Sequence, residues 1–105
     1  GKTSFKSKNY QSEDILEIVH TDLCGPIGVE SYIGEKKNLF VDDYSRMMIV
    51  MYLREKSEAF EKFKWYLARA EKETRKRLKC LRSERGGEFI SNEFNKFCIE
   101  REIER

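Results

Sequence analysis

Apolar and polar positions begin to alternate at Ile15, after a polar and basic stretch from Gly1 to Ser12 that reads as a linker. In Ile18-Val19-His20-Thr21-Asp22-Leu23 the β-branched residues and the period of two predict a strand. Val19, Thr21 and Leu23 share one of its faces, and Ile18, His20 and Asp22 the other. Gly25-Pro26 ends it, because proline cannot donate to a ladder and glycine permits a turn. A second strand is expected at Leu39–Asp42 and a third at Met47–Leu53, joined as a hairpin by the turn formers of Asp43-Tyr44-Ser45-Arg46. The third strand is apolar at every position, which predicts a central strand buried on both faces. Ser57 is the expected N-cap of a helix reaching about Arg75, with Phe60, Phe63, Leu67 and Ala70 at helical spacing and Trp65 and Tyr66 partly exposed. Leu78–Leu81 reads as a short fourth strand. Gly86-Gly87 breaks the pattern, and Ser91 is placed to cap a second helix that buries Phe94, Phe97 and Cys98.

The element order is strand, hairpin, helix, strand, helix. That is a mixed α/β layout with an antiparallel hairpin beside a parallel strand and flanking helices. An RNase H-like fold is built in this order, and several ferredoxin-like folds also accommodate it. The chain of 105 residues has room for one small domain. With 39% hydrophobic and 38% charged residues a core is possible, on a narrow margin.

A formal net charge of +2 says little about partners, but its distribution says more. Between Arg69 and Arg85 the bases Arg69, Lys72, Arg75, Lys76, Arg77, Lys79, Arg82 and Arg85 face only Glu71, Glu73 and Glu84. Such a run can neutralise nucleic-acid phosphates. A solvated helix end would carry the same residues, and sequence does not separate the two readings. Cys24, Cys80 and Cys98 lack short-range pairing and read as small buried hydrophobes in a reducing compartment. Neither an apolar leader nor a membrane-length apolar run is present, so no membrane partner is expected.

Candidate chemistry lies in carboxylates at strand ends: Asp22 after the first strand, Asp42 and Asp43 after the second, Glu84 after the fourth. Mg²⁺ takes oxygen ligands of this kind, commonly one or two carboxylates together with substrate phosphate. The competing reading makes Asp22 a turn cap and Asp42 and Asp43 hairpin residues. His20 and Cys24 have no second ligand pair for zinc, and Gly86-Gly87 lacks the Lys-Ser/Thr ending of a phosphate loop.

Three motifs occur in order: His20-Thr21-Asp22-Leu23-Cys24-Gly25-Pro26, Phe40-Val41-Asp42-Asp43-Tyr44-Ser45-Arg46, and Leu81-Arg82-Ser83-Glu84-Arg85-Gly86-Gly87-Glu88. With them the chain resembles the catalytic core of copia-type retrotransposon integrases, an incomplete RNase H-like fold over about residues 15–105. Residues 1–14 would then be the linker that follows a zinc-binding region absent here. The resemblance implies metal-dependent polynucleotidyl transfer in DNA integration, with Mg²⁺ or Mn²⁺ as cofactor, DNA as partner, possible homo-oligomers and an intracellular site, nuclear where DNA is the substrate. Asp22 takes the place of the family's first catalytic and metal-binding carboxylate and Glu84 that of the second. The family has aspartate at the second place, and its third carboxylate lies on a helix further along. Glutamate's extra methylene shifts the carboxylate by on the order of 1 Å, and about that much misplacement is costly at a catalytic metal. The chain alone is therefore expected to be catalytically inactive. The alternative is a non-catalytic remnant that binds nucleic acid or self-associates. Two smaller departures are a polar Glu35-Lys36-Lys37-Asn38-Leu39 segment where the family is aromatic, and Arg101-Glu102-Ile103 in place of a His-Gly-Ile turn.

Overall fold

A computed structural model describes residues 12–24, 36–83 and 91–105. The expectations at Gly25-Pro26, Glu84, Arg85 and Gly86-Gly87 lie outside the described residues. The elements are β1 (Ile18–Cys24), β2 (Lys36–Asp42), β3 (Met48–Leu53), α1 (Ala59–Thr74), β4 (Cys80–Ser83) and α2 (Asn92–Glu100). The strands form one sheet in the order β3-β2-β1-β4. β1 and β2 are antiparallel, with Val19 opposite Asp42 and Asp22 opposite Leu39. β1 and β4 are parallel, with Thr21 opposite Ser83. β2 and β3 form the expected hairpin. A parallel bridge from Cys80 to Glu104 adds backbone bonds on the outer side of β4.

The third strand departs from its expected place. It lies at the edge of the sheet among the described residues, and its side chains alternate, with Met48, Val50 and Tyr52 exposed and Leu53 buried. Among the described residues it pairs only with β2, whose other side is taken by β1. An unbroken apolar run does not distinguish a strand covered on both faces from an edge strand with one open face.

One face of the sheet is packed. Phe40 stacks on Tyr66 of α1 with ring centroids 4.5 Å apart, and Phe63 stacks on Phe94 of α2 at 5.0 Å. Val19, Leu53, Leu67, Leu81 and Cys98 close the same cluster. Phe60 is half-buried against Phe94. Tyr66 is buried, not partly exposed as its sequence position suggests, and burial pushes its hydroxyl pKa up to about 12. Cys80 and Cys98 are free thiols, both raised by burial.

Asp42 organises the end of the hairpin. It is 3% exposed, yet both carboxylate oxygens are occupied. Leu16 N–H donates to Oδ1 at 2.7 Å, and the N–H groups of Tyr44 and Ser45 donate to Oδ2 at 3.1 and 2.8 Å. A buried carboxylate is tolerated when its lone pairs are satisfied in this way. The bond from Leu16 N–H helps hold that residue in the left-handed region at φ 67°, a costly conformation for leucine. Its neighbour Asp43 ties the preceding segment to the turn, accepting from Ser12 Oγ at 2.8 Å and contacting His20 Nε2 at 2.9 Å. The bond to His20 holds the Asp43 carboxyl below its ordinary range.

Helix ends are set locally. Ser91 caps α2 as expected, accepting from Phe94 N–H at 3.1 Å. Ser57 does not cap α1. A 3-10 turn at Lys56–Glu58 precedes that helix and puts Glu58 at the N-cap without a side-chain cap bond, while Ser57 Oγ donates to Glu55 instead. At the end of α2, Glu102 N–H donates to Ile99 O and Ile103 N–H to Cys98 O, with Ile103 buried beside Cys98. This is a Schellman closure. Its left-handed position belongs to Glu102 at φ 61°, where glycine has no Cβ penalty.

Two stability measurements check this account. Asp42→Ala should cost about 2–4 kcal/mol in urea unfolding, because three N–H donors lose their acceptor. Glu102→Gly should gain about 0.5–1 kcal/mol, as expected for relief of a left-handed residue, whereas a loss would show that the glutamate side chain supports the turn.

Candidate functional site

The open face of the sheet is the one away from α1 and α2. Strand alternation places Ile18, His20 and Asp22 of β1 on it, with Leu39 and Val41 of β2 and Arg82 of β4 alongside. His20, Asp22, Leu39, Val41 and Arg82 line a cleft of about 590 Å³ together with Thr21, Ser83 and Arg105. The cleft lies at the end of the sheet where β1 and β4 both finish, because the two strands run parallel.

Asp22 is half-buried in this cleft. Its Oδ1 is buried and has no hydrogen-bond partner among the described residues. An acceptor-only oxygen left without a donor suits a cation or a water. Asp22 can therefore supply one ligand to a hard divalent ion. No group of three His, Cys, Asp or Glu residues that could hold a metal occurs among the described residues. The donors fit one corner of such a site. Ser83 Oγ and the Asn38 side-chain amide nitrogen are also buried without partners among the described residues, and Thr21 Oγ1 donates to Asn38 Oδ1 at 3.1 Å behind the cleft.

Asp42 and Asp43 do not join Asp22. Asp42 lies on the packed face and serves backbone donors; Asp43 is engaged by Ser12 and His20. Their hairpin reading is the one the geometry supports.

The basic run is divided by the fold. Arg82 stands in the cleft. Arg69 lies over the Trp65 ring at 5.3 Å and pairs with Glu73 at 3.3 Å. Lys76 pairs with Asp14 at 2.6 Å, and Lys79 lies 4.0 Å from Glu17. Lys79 N–H bonds to Leu16 O, which puts the segment before β4 at the start of β1, the opposite end of the sheet from Asp22. Lys72, Arg75 and Arg77 are exposed. Glu84 and Arg85 lie outside the described residues. Arg105 enters the cleft without any signal in the sequence, because only the Cys80–Glu104 bridge carries that end of the chain back to β4.

Asp22→Asn should leave the melting temperature unchanged or raise it slightly, since no donor bond to Oδ1 is lost. A drop of more than about 1 kcal/mol in stability would reveal a bond that fixes this carboxylate.

No family model matches the chain. The Retrovirus-related Pol polyprotein from transposon TNT 1-94 of Nicotiana tabacum is 40% identical over 98 residues, covering 92% of this chain and 7% of that polyprotein. Among solved structures, the HTLV-2 integrase catalytic core domain in complex with magnesium, in its trimeric form, superposes with a TM-score of 0.69 at 19% identity, over 85% of this chain and 57% of that one. A chain of the simian T-cell lymphotropic virus intasome in complex with PP2A regulatory subunit B56 gamma superposes with a TM-score of 0.72 at 16% identity, over 90% of this chain and 32% of that one. The structures support the fold, and the tobacco polyprotein supplies the sequence relationship. The chain is thus similar along most of its length to a short part of a retrotransposon Pol polyprotein, and it shares the fold of retroviral integrase catalytic cores.

Proposed function

We propose that the chain is a piece of the copia-type DNA-integration machinery whose cleft is built for metal-dependent polynucleotidyl transfer, and that the chain by itself is catalytically inactive. The observation that carries this reading is Asp22, with a buried oxygen that meets no donor among the described residues, on a strand of a chain 40% identical over 98 residues to a retrotransposon polyprotein. Asp22 would provide one ligand to Mg²⁺ or Mn²⁺, and Glu84 a second. When bound, the metal would polarise the reacting phosphodiester. Around it, Arg82 would neutralise phosphate charge, and His20, held by Asp43, would fill the cleft beside Asp22. The chain contributes no protein nucleophile in this scheme.

Inactivity follows from the carboxylate count. One carboxylate oriented by the sheet, with a second one methylene longer than the family's, is a poor host for an ion that demands near-octahedral geometry. A non-catalytic nucleic-acid-binding role is the second reading, and the exposed Lys72, Arg75 and Arg77 favour it. The dimeric and trimeric forms of the HTLV-2 core make self-association a further property to measure in this chain.

The test is a strand-transfer assay on the chain with Mg²⁺ or Mn²⁺ and a duplex bearing a recessed end. No joined product is expected. Joined product that disappears in Asp22→Asn would overturn the inactive reading. DNA affinity that requires the metal would favour a residual metal site; affinity that needs no metal and falls steeply with salt would favour the binding-only reading.

A further inference from the structure

The open sheet face extends beyond the cleft. Its rows follow from the register: Val41 stands opposite Met48, Leu39 opposite Val50, and Lys37 opposite Tyr52. Met48, Val50 and Tyr52 are all exposed, and Leu39 and Val41 are half-buried. Neither α1 nor α2 covers this face, since both pack on Phe40 and its neighbours.

At the far corner of this face, Lys37 Nζ lies 5.8 Å from the centroid of the Tyr52 ring. Lys37 is exposed, and the tyrosine is 57% exposed. Lys37 stands opposite Cys24, two residues beyond Asp22 along β1. Strand geometry then puts its Cα on the order of 8 Å from that of Asp22, and the Cα of Tyr52, one strand further, on the order of 12 Å away. The pair is thus on the same face and toward the same end of the sheet as Asp22.

Charge selects the occupant. The described charged and titratable groups on this face and in its cleft include His20 with its partner Asp43, Asp22, Lys37, Tyr52, Arg82 and Arg105, and neither Lys37 nor Arg82 has an ion-pair partner among the described residues. A cation beside a planar exposed ring, with Arg82 and Arg105 further along in the adjoining cleft, suits a polyanion that carries flat bases. An apolar peptide would use the Met48 and Val50 strip and leave Lys37 without a counter-charge. The face is also continuous with the cleft, because Leu39 and Val41 belong to both.

We propose that Lys37 and Tyr52 form a grip for a single nucleic-acid strand leading away from Asp22, with the lysine on a phosphate and the tyrosine ring under a base. This rests on the nucleic-acid reading of the cleft and adds a contact remote from the metal-binding carboxylates. Stacking on an exposed aromatic tolerates any base, so the grip recognises an unpaired strand irrespective of sequence.

The experiment measures binding of a fluorescein-labelled mixed-sequence single-stranded oligonucleotide to the 105-residue chain by anisotropy, across a salt series. Tyr52→Leu should weaken binding about tenfold or more, and Tyr52→Phe should retain it, because the phenylalanine keeps the ring. Lys37→Gln should reduce the slope of log affinity against log salt by about 0.7, the value for one phosphate on a single strand. An amide spectrum of each variant checks that the fold is intact, and the Phe variant keeps the test decisive should Tyr52→Leu unfold. Affinity unchanged within about twofold in Tyr52→Leu and Lys37→Gln, but weakened in Arg82→Gln, would overturn the grip and leave the cleft reading standing. A wild-type chain that binds no oligonucleotide would overturn both. Loss of a dimer in Tyr52→Leu on sedimentation, with oligonucleotide affinity intact, would overturn the grip in favour of a second copy on this face.

Discussion

The buried carboxylate of Asp42 is the constraint on which the architecture turns. Three backbone N–H groups converge on it, one from the segment before β1 and two from the β2–β3 turn. It therefore ties the segment before β1 to the β2–β3 turn. Its backbone also closes the hairpin, accepting from Arg46 N–H and donating to Met47 O. Because the carboxylate is fully occupied and faces the packed side, it is withdrawn from chemistry. The adjacent aspartate is used in a similar way, at the surface, to tie Ser12 and His20 to the same corner.

The packed face gives this corner something to lean on. Phe40 and Tyr66 stack almost parallel, with 4° between their planes, and Phe63 bridges to Phe94, so the two helices are joined to the sheet through a continuous aromatic layer. Aromatic pairs add on the order of 1 kcal/mol each beyond the area they bury. For a chain with so many charged residues that layer is a large share of the stabilising contact. Among the described residues the sheet has one face packed by α1 and α2 and one that neither helix covers, and the latter carries Asp22.

Function on this scaffold is a matter of which side chains remain unpaired. Asp42 and Asp43 are saturated, and Lys76, Lys79 and Arg69 are drawn into ion pairs on the body of the domain. Asp22 keeps a buried oxygen without a donor among the described residues, and Arg82 lines the same cleft. The Thr21–Asn38 bond behind the cleft stiffens the strand that presents Asp22. Asn38 is fully buried, and its amide nitrogen has no partner among the described residues.

Local patterns legible along the chain include the β1 alternation that puts Asp22 opposite in sense to Val19, the hairpin, the Ser91 cap, and the helical spacing of Phe63 and Leu67. These depend on residues within a few positions of one another, and their physics is contained in that window. The place of β3 was not legible, because an apolar run reports hydrophobicity and not the number of neighbours a strand will have. Nor was the division of the basic run, since charges close in sequence are sent to opposite ends of the sheet when one lies before a parallel strand and another within it. Which of three aspartates would be structural was likewise decided only in space. The carboxylates of Asp22 and Asp42 differ in the face they take and the donors they meet, and those donors come from Leu16 and the turn, far apart in the chain and adjacent only once the sheet has formed.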